Sequence, residues 1–298
     1  SSSSLSSSTS SLSRLLLSPT PLISTTTALR GGSISSTLTS LTPLQTTALT
    51  GLTLLLLQLL LRTLYSLSPS PLINKRPGYL AHTSLCVPCQ TFTSIYGLLH
   101  YLSVPSTPLL RTLTPLPPAR FLASFLAGVM LWDVPVSYCT PGLRSWDVIS
   151  HHVVLLLVAS LAASQMPGWW CYFYFGVVEI VSPPLGVYDQ LERTCDIAKS
   201  TKHPSLPLLA RARDFTKILA ALVFTVNRAM MFTFVTFFRF LPDASSVRRL
   251  APSSLVVDLC AFAAVGFAGL QIWWFRMLVM EARGRGGREE YEARTGRK

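Results

Sequence analysis

His151 and His152 stand side by side in an apolar run, residues 148–163, with Asp147 one helical turn before His151. Paired imidazoles beside a carboxylate suit three chemistries: a general base oriented by the acid, a metal site, or a polar lock between helices. Neighbouring residues on a helix point about 100° apart, so the two rings are expected to face different surroundings. A two-histidine metal site on a helix uses i, i+4 spacing and needs further convergent ligands, so no metal is expected. No nucleophile elbow accompanies the pair. The residue chemistry alone favours packing or lipid contact over catalysis. If the chain is an enzyme, the expected catalytic set is His151 and His152 with Asp147 orienting the first ring.

Other polar groups recur at intervals in apolar surroundings: His82, Asp133, Glu179, Ser182, Asn227, Arg228 and Asp258. Glu179 begins the run Glu-Ile-Val-Ser-Pro-Pro ending at Pro184. Pro183 and Pro184 lack the amides that would bond the carbonyls of Glu179 and Ile180, so a break is expected here, with a carboxyl and two loose carbonyls at one depth. Arg228 lies too far inside its segment to reach water and needs an acid; Glu179 is the expected partner and Asp133 the second choice. Asp133, His151, His152, Glu179, Ser182, Asn227 and Arg228 are the expected lipid-cavity or polar-network residues.

These groups have to be positioned by membrane helices. The 298 residues are 49% hydrophobic and only 13% charged, against roughly 25% charged in soluble proteins. Apolar stretches of spanning length predict an all-α, polytopic transmembrane bundle of about seven spans: 47–67, 80–102, 120–139, 148–164, 169–187, 215–240 and 254–280. Met166-Pro167-Gly168 predicts a tight turn between the fourth and fifth. The net charge of +12 sits mostly in loops and in the tail after Arg276. That distribution sets topology and attracts anionic lipid, and it excludes a nucleic-acid face. Lys75, Arg76, Arg144, Arg193, Lys199, Lys202, Arg211, Arg213 and the tail fall on one side, against Arg14, Arg30, Arg111, Arg248 and Arg249 on the other. The heavier side is expected to be cytoplasm or matrix, with the C-terminus there. Trp169, Trp170, Trp273 and Trp274 are expected as interfacial anchors. The six cysteines are scattered, and Cys86-Val-Pro-Cys89 reads as helix packing rather than a redox or haem site.

Three regions follow: an extension 1–45, a transmembrane domain 46–281 and a basic tail 282–298. The extension is rich in Ser, Thr and Leu, holds two arginines and no acid, and the first acid of the chain is Asp133. This is the profile of an organellar transit peptide or its remnant. A segment with no core of its own takes order only from something else, so it is expected to lie against other subunits of a membrane complex.

The polar residues also keep an order. His82 follows the basic loop Asn74-Lys75-Arg76; then come Trp132-Asp133, Asp147-x-x-x-His151-His152, Glu179-x-x-Ser182-Pro183-x-Leu185 and Phe224-x-x-x-Arg228. In this order and spacing, over residues 47–280, the chain resembles the TLC-domain family of multi-pass membrane proteins, which includes the ceramide synthases. The resemblance implies a helical bundle around a lipid-accessible cavity. In the ceramide synthase branch the paired histidines belong to an acyl-transfer site that also uses a His-Asp pair and further acids in a later helix. Here that region offers none, and His203 lies in a loop beside Pro204. The Glu-x-x-Ser-Pro pattern is more similar to the non-synthase members, which are associated with lipid handling. The expected function is therefore a lipid-binding, non-catalytic accessory subunit of a large organellar complex, without cofactor. The mitochondrial inner membrane is preferred over the endoplasmic reticulum or a plastid membrane. An acyltransferase using His151 and His152 is the alternative, and a lipid transporter the third reading.

Overall fold

The structure is a computed structural model that describes residues 41–166 and 168–282. Most of the expected extension, the expected tail beyond 282 and Pro167 of the expected turn lie outside the described residues. The described chain is helical, and among the described residues there is no strand. Helix α1 is Pro43–Ser66, opened by a capping box in which Thr42 and Gln45 satisfy each other's amides. Its outer face exposes Leu52, Leu56, Leu59, Leu60 and Leu64, a surface suited to lipid tails. Helix α2 is Pro77–Tyr101, α3 is Pro117–Cys139 and α4 is Trp146–Gln165.

Five stretches are long and apolar enough to cross a membrane: α1, α4, Pro108–Cys139, Leu206–Leu250 and Ser254–Met280. The chain is an integral membrane protein built as a polytopic helical bundle. The second expected span, α2, is not among these five stretches because it packs against α1, α3 and the fifth segment. A helix walled by protein need not be apolar. Its Thr83, Thr93 and Ser94 are buried, and their hydroxyls donate to carbonyls of their own helix at 3.0, 2.9 and 2.6 Å.

The fifth expected span is not one helix. It runs as α5, Trp170–Tyr174, then a 3-10 segment, Val177–Val181, then α6, Ser182–Ser200. The prolines do forbid an α-helical bond to Glu179, whose carbonyl instead accepts the Ser182 amide in the tighter 3-10 pattern. The break itself starts earlier, at Gly176, where the backbone lies directly on Gly97 of α2. A Cβ built on Gly176 would sit 2.4 Å from the Gly97 Cα.

Residues Leu206–Leu250 form a continuous 45-residue helical stretch that begins with α7, Leu206–Val223, and passes through two π-helical turns, Phe224–Met231 and Thr236–Phe240. At ~1.5 Å per residue it is about 65 Å long, twice a ~30 Å hydrocarbon core. Its first turns, bearing Arg211, Arg213 and Asp214, therefore leave the bilayer and pack on α6. Helix α8, Ser254–Ala282, closes the bundle.

Three expectations about the rim change. Trp169 and Trp170 are buried, at 3% and 6% exposure, because Trp169 stacks on Tyr101 and the Trp170 indole donates to Asp243 at 3.2 Å. Exposed aromatics at the basic face are instead Trp146 and Tyr138, which flank the Arg144 guanidinium. Asp258 is not interior: it pairs with Arg248 at 2.6 and 2.7 Å on an exposed site. Arg111 is likewise matched by Asp243 at 2.5 and 2.6 Å, so two arginines on the lighter side are neutralised locally.

Candidate functional site

The first polar cluster joins α2, α3 and α4. Asp133 is 1% exposed, and its two oxygens meet His82 Nε2 and His152 Nδ1. Ser137, one turn on, donates to the same carboxylate at 3.2 Å. His82 also stacks on Trp132, with centroids 5.1 Å apart. Each ring nitrogen is turned to the carboxylate rather than to a common point, and among the described residues no group of three or more His, Cys, Asp or Glu could hold a metal ion.

The acid that faces the paired histidines is thus Asp133, on a neighbouring helix, and it serves His152. Asp147 does not orient His151. It sits exposed in the first turn of α4, where the Ser145 hydroxyl donates to it. His151 points the other way, as the 100° step requires, edge-on to Phe267 and Trp274 of α8 at 4.9 and 5.4 Å.

The second cluster forms where the broken span meets the first π-turn. Arg228 Nη2 donates to the Ser182 hydroxyl at 2.9 Å and to Glu179 at 3.3 and 3.4 Å. Ser182 in turn donates to Glu179 Oε2 at 2.6 Å. The carbonyls that the neighbouring side chains use belong to Val177 and Val178, not to Glu179 and Ile180. They accept from Asn227 Nδ2 at 3.0 Å and Arg228 Nε at 3.4 Å. The wider π-turn and the 3-10 segment fit together: one presents two consecutive polar side chains, the other two consecutive carbonyls, each with a second lone pair to accept them.

Between α4, the broken span, the π-turns and α8 lies a cleft of about 760 Å³, including its open mouth. Its walls are almost wholly apolar, with Leu155, Ala162, Phe232 and Ala264 among them. Along α4 and its C-cap the lining residues are His151, Leu155, Val158, Ala162 and Met166, a stripe about 22 Å long. The polar groups His151, Glu179 and Arg228 also line it. Ser182 and Asn227 stand behind this wall, and Asp133 and His152 hold the helix that carries His151. The Glu179–Arg228 pair is closed on itself, and Ser182 is engaged by both partners, so neither offers a free charge or an activated nucleophile. His151 is the candidate left with chemistry in hand, since its buried Nδ1 has no hydrogen-bond partner.

Of the polar lining residues, Thr112 and Gln271 had no place among the expected ones. Gln271 of α8 is 1% exposed and its buried Oε1 has no partner. A carboxamide alone in a lipid-length apolar run was the available signal.

A model of the TLC domain matches residues 80–280 of the chain. No curated protein and no solved structure matches it.

Proposed function

This chain belongs to the TLC-domain family, and on that footing we propose that it is a lipid-binding membrane protein whose cleft holds one long-chain lipid. The observation that carries the reading is the cleft: elongated, apolar along α4 and α8, with polar groups in its wall. Chain purified without detergent should carry about one lipid per protein, read by mass spectrometry. Ala264→Phe, which fills the cleft from α8, should expel it while an equally bulky change on the lipid-facing side of α1, such as Thr53→Phe, leaves it in place. Retention of the same lipid by Ala264→Phe sinks the reading.

The finer proposal is a non-catalytic accessory subunit of an organellar membrane complex, the mitochondrial inner membrane being preferred. It is supported by the basic, acid-free composition of residues 1–45 and by polar clusters spent on one another. Recovery from native membranes only as a free monomer argues decisively against it.

The unpartnered Nδ1 of His151 favours one second reading, acyl transfer from an acyl-CoA to a long-chain amine with His151 as base. The discriminating variant is His151→Ala alone, because His152 is tied into the Asp133 cluster and its loss would perturb the fold. Under the lipid-binding proposal, His151→Ala leaves the wild-type and variant chains equally unable to form an N-acyl product from the two substrates. Product formed by the wild type and cut by a factor of about 100 or more in the variant establishes the enzyme instead.

A further inference from the structure

Thr112, His151 and Gln271 line the cleft with a buried polar atom that has no partner, and the last two lie together. On α8, Phe267 is one turn before Gln271 and Trp274 one turn after, so the three share a stripe. Both rings touch the His151 imidazole edge-on. Gln271 therefore faces His151 at one depth, and both residues line the cleft. The Gln271 Oε1 and the His151 Nδ1 are each buried without a partner. Buried polar atoms are almost always hydrogen-bonded, and lipid tails supply nothing to bond with. What is missing is a group from the occupant that donates to the Gln271 Oε1 and, with the imidazole proton on Nδ1, accepts from His151.

The charges nearby settle the rest of its chemistry. The Arg228 charge is balanced by Glu179, and its Nη2 and Nε donate to Ser182 and the Val178 carbonyl. Glu179 is spent on Arg228 and Ser182. Among the described residues that line the cleft, a carboxylate- or phosphate-headed lipid would find no unbalanced cation and a long-chain amine no unbalanced acid, so either would bring an uncompensated charge into an apolar site. We propose that the cleft selects an uncharged long-chain lipid ending in a hydroxyl or carboxamide, read by Gln271 together with His151. This rests on the cleft being a lipid site.

The test uses the full chain in nanodiscs and five probes sharing one chain length: oleyl alcohol, oleamide, oleic acid, oleylamine and 1-octadecene. The alcohol and the amide should bind about tenfold more tightly than the alkene, the worth of one good hydrogen bond. Gln271→Leu, similar in volume and free of polar atoms, should remove that preference and leave alkene binding unchanged. Tighter binding of the acid or the amine overturns the inference while the lipid cleft stands, as does an unaltered preference in Gln271→Leu. Failure of all five probes to bind, the alkene included, overturns the inference and the cleft reading together.

Discussion

Asp133→Ala should lower the unfolding free energy by about 3–5 kcal/mol, the usual cost of removing one member of a buried charged cluster. The carboxylate is 1% exposed and is the shared partner of His82 and His152. Its loss strands two imidazoles from two helices at a buried site. Asp133→Asn keeps the volume and one acceptor, so its cost should be smaller. Detergent-based thermal or denaturant unfolding measures both. A loss under about 1 kcal/mol for Asp133→Ala would show that the cluster binds no helices together.

Gly176→Val should be at least as damaging, and through packing alone. The first added carbon would lie 2.4 Å from the Gly97 Cα and 2.7 Å from the Tyr172 carbonyl oxygen. Those atoms are backbone and cannot swing aside as a side chain does. Ordinary overpacking costs about 1–3 kcal/mol, and this site should fall at or above the upper end. Gly97→Val meets the same wall from the other side, with a Cβ 2.3 Å from the Gly176 Cα. The checking measurement is the yield of folded, monodisperse protein with its unfolding midpoint. By contrast Gly266→Val, where an added Cβ meets nothing within 4 Å, should fold normally. Equal behaviour of the two variants would rule out the close approach.

The apolar runs predicted the helical bundle well because lipid-facing surface forces a composition that can be counted. They were silent on α2 as a central helix, since polar residues satisfied inside protein look the same in sequence as polar residues facing water. The Arg228–Glu179 pairing was legible from chemistry: a guanidinium at mid-span needs an acid, and few exist. Which acid serves which histidine was not. Asp147 is near in sequence, Asp133 near in space, and only the packing of α3 on α4 distinguishes them. The prolines announced a break but not its cause, because a glycine-to-glycine contact joins residues 97 and 176 with no periodic trace. Trp169 and Trp170 followed a rule for span ends that fails when the end is covered, as it is here by Tyr101 and Asp243.

The placement of α8 bears on how the protein is made. Helices that emerge earlier can assemble the Asp133 cluster and the Glu179–Arg228 pair without it, since all their members precede residue 254. Until α8 inserts, the future cleft is an open groove on the flank of a half-built bundle, bathed in the host membrane. Domains and segments made first fold first during synthesis. On the proposed lipid-binding reading, the first occupant would be acquired during biogenesis, when the last wall closes over a lipid already lying in the groove.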